Sequence, residues 1–211
     1  MSSELAEILY TMPRNAPADV DDLTGLHGDD IPWERVPSLK EILKEAVATS
    51  DTLRAATLLA YWGDEAGVRY LEDFVCNCPT PTVQLMPHRL EDYDDVYTQV
   101  LRALIAYWAN RADAGAGEEA RAGIAKAVLQ IIRYSNAMPF EIAHLFWLVE
   151  RHGFTEYLPA LKVHLVEITK QAAANRWKIA DCAHLLVKFD PTFVDQTLSA
   201  QGLSLNDFAA A

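Results

Sequence analysis

The chain has 211 residues, half of them apolar, with nine glycines, ten prolines and a formal net charge of −12. Its length supports one sizeable core, and its wealth of Ala and Leu with little strand-like alternation favours helices. The acidic balance argues against nucleic acid or an anionic membrane as the main partner, since both attract Lys and Arg. No uncharged apolar run approaches the roughly 18–20 residues of a spanning helix. The opening "MSSELAEILYTMPR" lacks the basic-then-apolar order of a signal peptide. Cys76, Cys78 and Cys182 are odd in number, and the first two are too close for an ordinary bridge. Reduced thiols in a cytoplasmic protein are therefore expected.

Residues 3–11 can form a short helix. From Met12 to Pro37 four prolines and two glycines punctuate an acidic stretch that reads as extended or loosely ordered. Trp33 stands alone in it, a ring either docked on the body or offered to a partner. At Ser38 the pattern changes: "SLKE" is a capping box, which predicts a helix from about Leu39 to Ala48. Ser50 or Asp51 can cap the next helix, which places Leu53, Ala56, Leu59 and Trp62 on one stripe. Gly63 ends it and Asp64 caps a partner carrying Val68, Leu71, Phe74 and Val75 on one face. After a proline-rich linker, helices are expected over about 91–111 and 118–134. A third pair starts at Pro139, which suits the first helical position, and breaks at Gly153. The last pair runs from about Trp177 and breaks at Asp190-Pro191.

Four apolar pairs align the first helices of these hairpins: Leu58-Leu59, Leu104-Ile105, Leu145-Phe146 and Leu185-Leu186, at spacings of 46, 41 and 40 residues. A bulky apolar residue follows each pair by three positions: Trp62, Trp108, Val149 and Phe189. A helix pair repeated at this period is the signature of an α-solenoid. The stretch "LRAATLLAYWGDEAGVRYLEDFV", Leu53 to Val75, resembles a HEAT repeat, with an apolar helix, a Gly-Asp turn and a second helix of spaced aliphatic residues. The resemblance covers roughly residues 38–200 and implies stacked helical hairpins that bind other proteins along a concave surface, with no chemistry of their own. The expected fold is therefore all-α: an N-terminal short helix and acidic irregular segment over 1–37, then a single α-helical repeat domain over 38–211.

The charge is uneven. Residues 1–36 hold eight acids and two bases, residues 37–95 eleven acids and five bases, and residues 96–211 eleven of each. Within the acidic half, "HRLEDYDDVY" interleaves Glu91, Asp92, Asp94 and Asp95 with Tyr93 and Tyr97. Carboxylates among aromatic rings suit a basic protein surface. Glu91, Asp92, Tyr93, Asp94, Asp95 and Tyr97 are therefore candidate partner-binding residues, with Trp33 beside them. In size, acidity and lack of catalytic motifs the chain is similar to bacterial immunity proteins. That likeness implies a non-enzymatic, toxin-neutralising module with no cofactor or metal. An alternative reading takes Glu141-x-x-His144 and Asp181-x-x-His184 as the carboxylate and imidazole ligands of a di-metal oxidase-like site. Asp is the shorter ligand, and the repeat by itself explains why the two histidines match in position.

Overall fold

The computed structural model describes residues 3–45, 48–77 and 95–208. Among them the chain is all-α, with ten α-helices, five short 3-10 turns and no strand. None of the described helices is long and apolar enough to cross a membrane. The described residues form two compact units, dividing after Val128.

The first unit contains α1 (Ser3–Tyr10), α2 (Val36–Ile42), α3 (Ser50–Tyr61), α4 (Glu65–Asn77), α5 (Val96–Asp113) and the start of α6 (Gly117–Ser135). The centre of the unit is α3, against which α2, α4 and α5 all pack. The cap of α3 is Thr49 rather than Ser50 or Asp51. Its hydroxyl accepts from the Thr52 amide at 3.2 Å, while the Thr52 hydroxyl accepts from the Thr49 amide at 2.8 Å. Reciprocal bonds of this kind satisfy two otherwise orphan donors. Gly63, at φ +78°, ends the helix turn, and the Asp64 carboxylate accepts from the Ala66 amide at 2.9 Å to start α4.

The N-terminal segment departs from expectation. It is no loose arm: Leu23, Leu26 and Ile31 are buried in one cluster with Leu9, Leu39, Leu58, Leu59 and Trp62. Each such aliphatic side chain contributes about 1.5–3 kcal/mol when withdrawn from water. Polar ties fix the path. The Trp62 indole donates to the Leu23 carbonyl at 3.0 Å, and Arg54 pairs with Asp22 at 2.7 Å. Arg35 donates to the carbonyls of Thr11 at 2.7 Å and Glu7 at 3.1 Å, at the end of α1. The segment before residue 37 thus completes the core around α3. Likewise α2 begins at Val36, running on from a 3-10 turn over Trp33–Arg35 with Pro37 in its first turn. The Ser38 capping box is overridden.

The second unit holds the end of α6 with α7 (His144–His152), α8 (Leu158–Thr169), α9 (Arg176–Leu186) and α10 (Pro191–Ser199). Within it α8 packs on α9, and both meet α10. Gly153 closes α7 in the left-handed region at φ +68°, and Asp190 caps α10 by accepting from the Phe193 amide at 3.0 Å. Pro139 does not open a helix. Residues 139–143 stay irregular because Phe140 and Ile142 both turn into the core, and α7 starts at His144.

Leu58, Leu104, Leu145 and Leu185 are all buried, one in each of α3, α5, α7 and α9. Trp62, Trp108 and Val149 are buried as well, whereas Phe189 is 40% exposed, so the repeated pattern weakens in its last copy. Among the described residues, the buried Thr57 hydroxyl has no hydrogen-bond partner. Replacing it by the isosteric Thr57→Val removes a desolvated hydroxyl without a void, and is expected to raise stability by about 1 kcal/mol in urea denaturation. A loss of stability would mean that the hydroxyl has an unseen role.

Candidate functional site

The sequence-predicted patch divides. Glu91, Asp92, Tyr93 and Asp94 lie outside the described residues. Tyr97 is fully buried, its ring 6.2 Å from that of Phe74, and Asp95 is buried at the head of α5. Neither is a surface anchor, which corrects that part of the expectation. The reason is periodic: Tyr97, Leu101, Leu104 and Trp108 follow at four, three and four residues, and that stripe faces the core. Tyr97 belongs to the helix it opens rather than to the acids before it.

Trp33 has the opposite fate. Its ring is 51% exposed although the segment carrying it is docked. The indole N–H donates to the Gly28 carbonyl at 3.3 Å, and buried Ile31 and Pro32 hold the backbone just before it. Gly28 turns the chain at φ +57°, in the left-handed region that suits glycine. Around this ring in the sequence stand Asp19, Asp21, Asp29 and Glu34, all exposed. The result is a fixed aromatic plate on an acidic segment with an ordered backbone. Tyr10, which sequence reasoning missed, is also half-exposed, at the end of the helix that Arg35 ties to the Trp33 turn. Burial is the chief influence raising its phenol pKa, with the Asp51 charge adding to it. Asp22 differs from its acidic neighbours. Burial works to raise its pKa, but hydrogen bonds from Arg54 and Thr24 outweigh it and hold the carboxyl below the usual range. It therefore serves the fold, and the other carboxylates of the arm carry the outward charge.

The residues of the alternative reading lie in the second unit. Glu141 and Asp181 line one recess of about 10 Å³ together with His164 and Lys178. A space of that size holds about one water. Asp181 is raised in pKa, first by burial and then by the charge of Glu141. His144 sits 3.8 Å from Glu141, while His184 is exposed on α9 and does not line the recess. Among the described residues no group of three or more His, Cys, Asp or Glu side chains is placed to hold a metal ion. What dominates the recess was not singled out from sequence. Lys178 is 5% exposed and donates to the carbonyls of Ser135 at 2.8 Å and Met138 at 2.5 Å. Burial lowers its pKa to about 8. His164 lies with Nδ1 2.7 Å from the Asn136 amide oxygen, and burial, then the Lys178 charge, lower its pKa to about 3. These groups close the turn after α6. Cys182 is likewise structural: its buried thiol is pushed up in pKa and faces the Leu161 carbonyl at 3.6 Å.

The fold defines the class as an all-α protein. Comparison with protein-family models, with curated proteins and with solved structures gives no match in any of the three.

Proposed function

We propose that the protein is a non-enzymatic binding module of the immunity-protein kind, an acidic helical protein that neutralises a basic toxin domain by covering it. The observation that carries this reading is the fixed, half-exposed Trp33 ring on a segment whose exposed charged side chains are mostly carboxylates. Trp is the commonest type of interface anchor, and surrounding charge steers a partner of opposite sign. The net charge of −12 and its concentration before residue 96 support the same reading. In this arrangement the carboxylates of Asp19, Asp21, Asp29 and Glu34 attract the basic face over a distance, and the ring supplies the desolvated contact. The HEAT-like resemblance fits a scaffold for such binding, at a cytoplasmic location.

The test is binding kinetics against a basic toxin domain encoded beside this protein. Trp33→Ala is expected to weaken binding by about thirtyfold or more, mostly through faster dissociation. Charge reversal at Asp19, Asp29 and Glu34 is expected to slow association about tenfold at low salt and much less at high salt. Reversal at Glu156, Glu167 and Asp195 in the second unit should change little. Unaltered binding in both the Trp33 variant and the first reversal set would overturn the proposed surface.

A further inference from the structure

We propose that a groove in the first unit is a second binding site, selective for a short peptide segment that carries both a carboxylate and a basic group. The groove has a volume of about 700 Å³ and is walled by α2, the α3–α4 turn, α4, α5 and the first turn of α6. That volume suits a few residues of extended chain rather than a folded domain. None of its lining residues belongs to the Trp33 segment, so it is independent of the surface described above.

Two of its cations are already satisfied: Lys40 pairs with Asp64 at 2.6 Å and Arg69 with Glu65 at 2.7 Å. Three charges are left over. Arg111 on α5, Asp73 on α4 and Glu119 on α6 line the groove without an ion pair among the described residues. One helical turn before Arg111 stands Tyr107, 6% exposed, which also lines the groove. Burial raises the phenol pKa, so Tyr107 keeps its proton and acts as a donor at neutral pH.

Arg111 and the Tyr107 hydroxyl, four residues apart on one helix face, offer a cation and a donor to one carboxylate. The free carboxylates of Glu119 and Asp73 then take an ammonium or guanidinium group from the same segment. A ligand with acids alone meets four groove carboxylates, and one with bases alone meets Arg111 and the two paired cations. Only a segment of mixed charge is complementary to all of the unpaired groups.

The test uses the full chain labelled with nitrogen-15 and four blocked tripeptides. Two carry both charges, acetyl-Lys-Ala-Glu-amide and acetyl-Glu-Ala-Lys-amide. Two controls carry one charge, acetyl-Lys-Ala-Gln-amide and acetyl-Gln-Ala-Glu-amide. Saturable shifts of the Tyr107, Arg111 and Glu119 amides are expected with at least one mixed peptide, and binding about tenfold weaker for both controls. Arg111→Gln and Glu119→Gln should each weaken the mixed peptide about tenfold, and Tyr107→Phe about fivefold. Both glutamine changes are at partly or fully exposed positions, so either can serve if the other perturbs the fold. Failure of both mixed peptides to give saturable shifts overturns the proposal, as does a control that binds equally well. Full affinity in the Arg111 and Glu119 variants does the same.

Discussion

Gly67→Ala is expected to destabilise the protein by about 3 kcal/mol, although alanine is the better helix former by about 1 kcal/mol. Gly67 lies in the first turns of α4, where that helix crosses α3 backbone to backbone. A Cβ there would sit 2.4 Å from the Ala56 carbonyl oxygen, 2.6 Å from the Ala60 nitrogen and 2.8 Å from the Leu59 Cβ. Two of these obstacles are main-chain atoms of a buried helix and have no rotamer to change. The two helices must separate, and the contacts of Leu58, Leu59, Val68 and Leu71 loosen with them. Gly123 provides the matched control. It also lies within a helix, α6, but a Cβ there meets nothing within 4 Å. Gly123→Ala is expected to stabilise by about 0.5–1 kcal/mol. Urea denaturation of the two variants reads opposite signs from the same substitution. A neutral or stabilising Gly67→Ala would mean that α3 and α4 do not approach this closely.

The helices were legible where turn chemistry and periodicity agreed. Gly63-Asp64, Gly153 and Asp190-Pro191 end or open helices where their conformational preferences place them, and the apolar stripes through Leu58, Leu104, Leu145 and Leu185 are buried. The expectation failed where local preference met tertiary packing. Pro139 suits a helix start, yet Phe140 and Ile142 are both needed in the core and hold that stretch irregular. The acidic segment before residue 37 has no helical or strand period, so Leu23, Leu26 and Ile31 read as scattered residues in a loop. Their docking depends on side chains far away in sequence, Arg54 and Trp62.

The candidate surfaces were legible to a lesser degree. Trp33 was visible as an isolated ring, but only the fold distinguishes a docked indole from an exposed one. Tyr97 carried its own correction, since its spacing to Leu101 and Leu104 marks it as core. Tyr107 and Arg111 are neighbours by helical spacing alone. That Asp73 and Glu119 face the same groove depends on how α4 and α6 meet α5, which no local pattern encodes.

Lys178→Met is expected to cost about 2–3 kcal/mol at pH 7 and to remove a pH dependence of stability. The ammonium is the donor for the carbonyls of Ser135 and Met138, at the end of α6 where carbonyls are unpaired and the helix dipole favours a cation. The rings of Trp177 and Phe140, at 5.4 Å and 5.8 Å, add cation–π contact. Methionine keeps the length and loses every donor, so the Ser135 carbonyl loses the ammonium, while the Met138 carbonyl keeps the Phe140 amide at 3.0 Å. Relief of the buried charge offsets part of that loss. Burial sets Lys178 at about 8 in the folded protein against 10.5 for the free side chain. Between those values the unfolded chain holds a proton that the folded one does not, so stability rises with pH through that window. His164 acts in the same direction lower on the scale. At about 3 when folded against 6.5 when free, it makes stability fall as pH drops from about 6.5 towards 3. Urea denaturation at a series of pH values is expected to show the upper rise in the wild-type protein and a flattened one in Lys178→Met. His164→Asn should flatten the lower limb alone. Parallel curves for wild type and Lys178→Met above pH 8, or equal stability at pH 7, would show that the ammonium is not the group that holds the turn between α6 and α7.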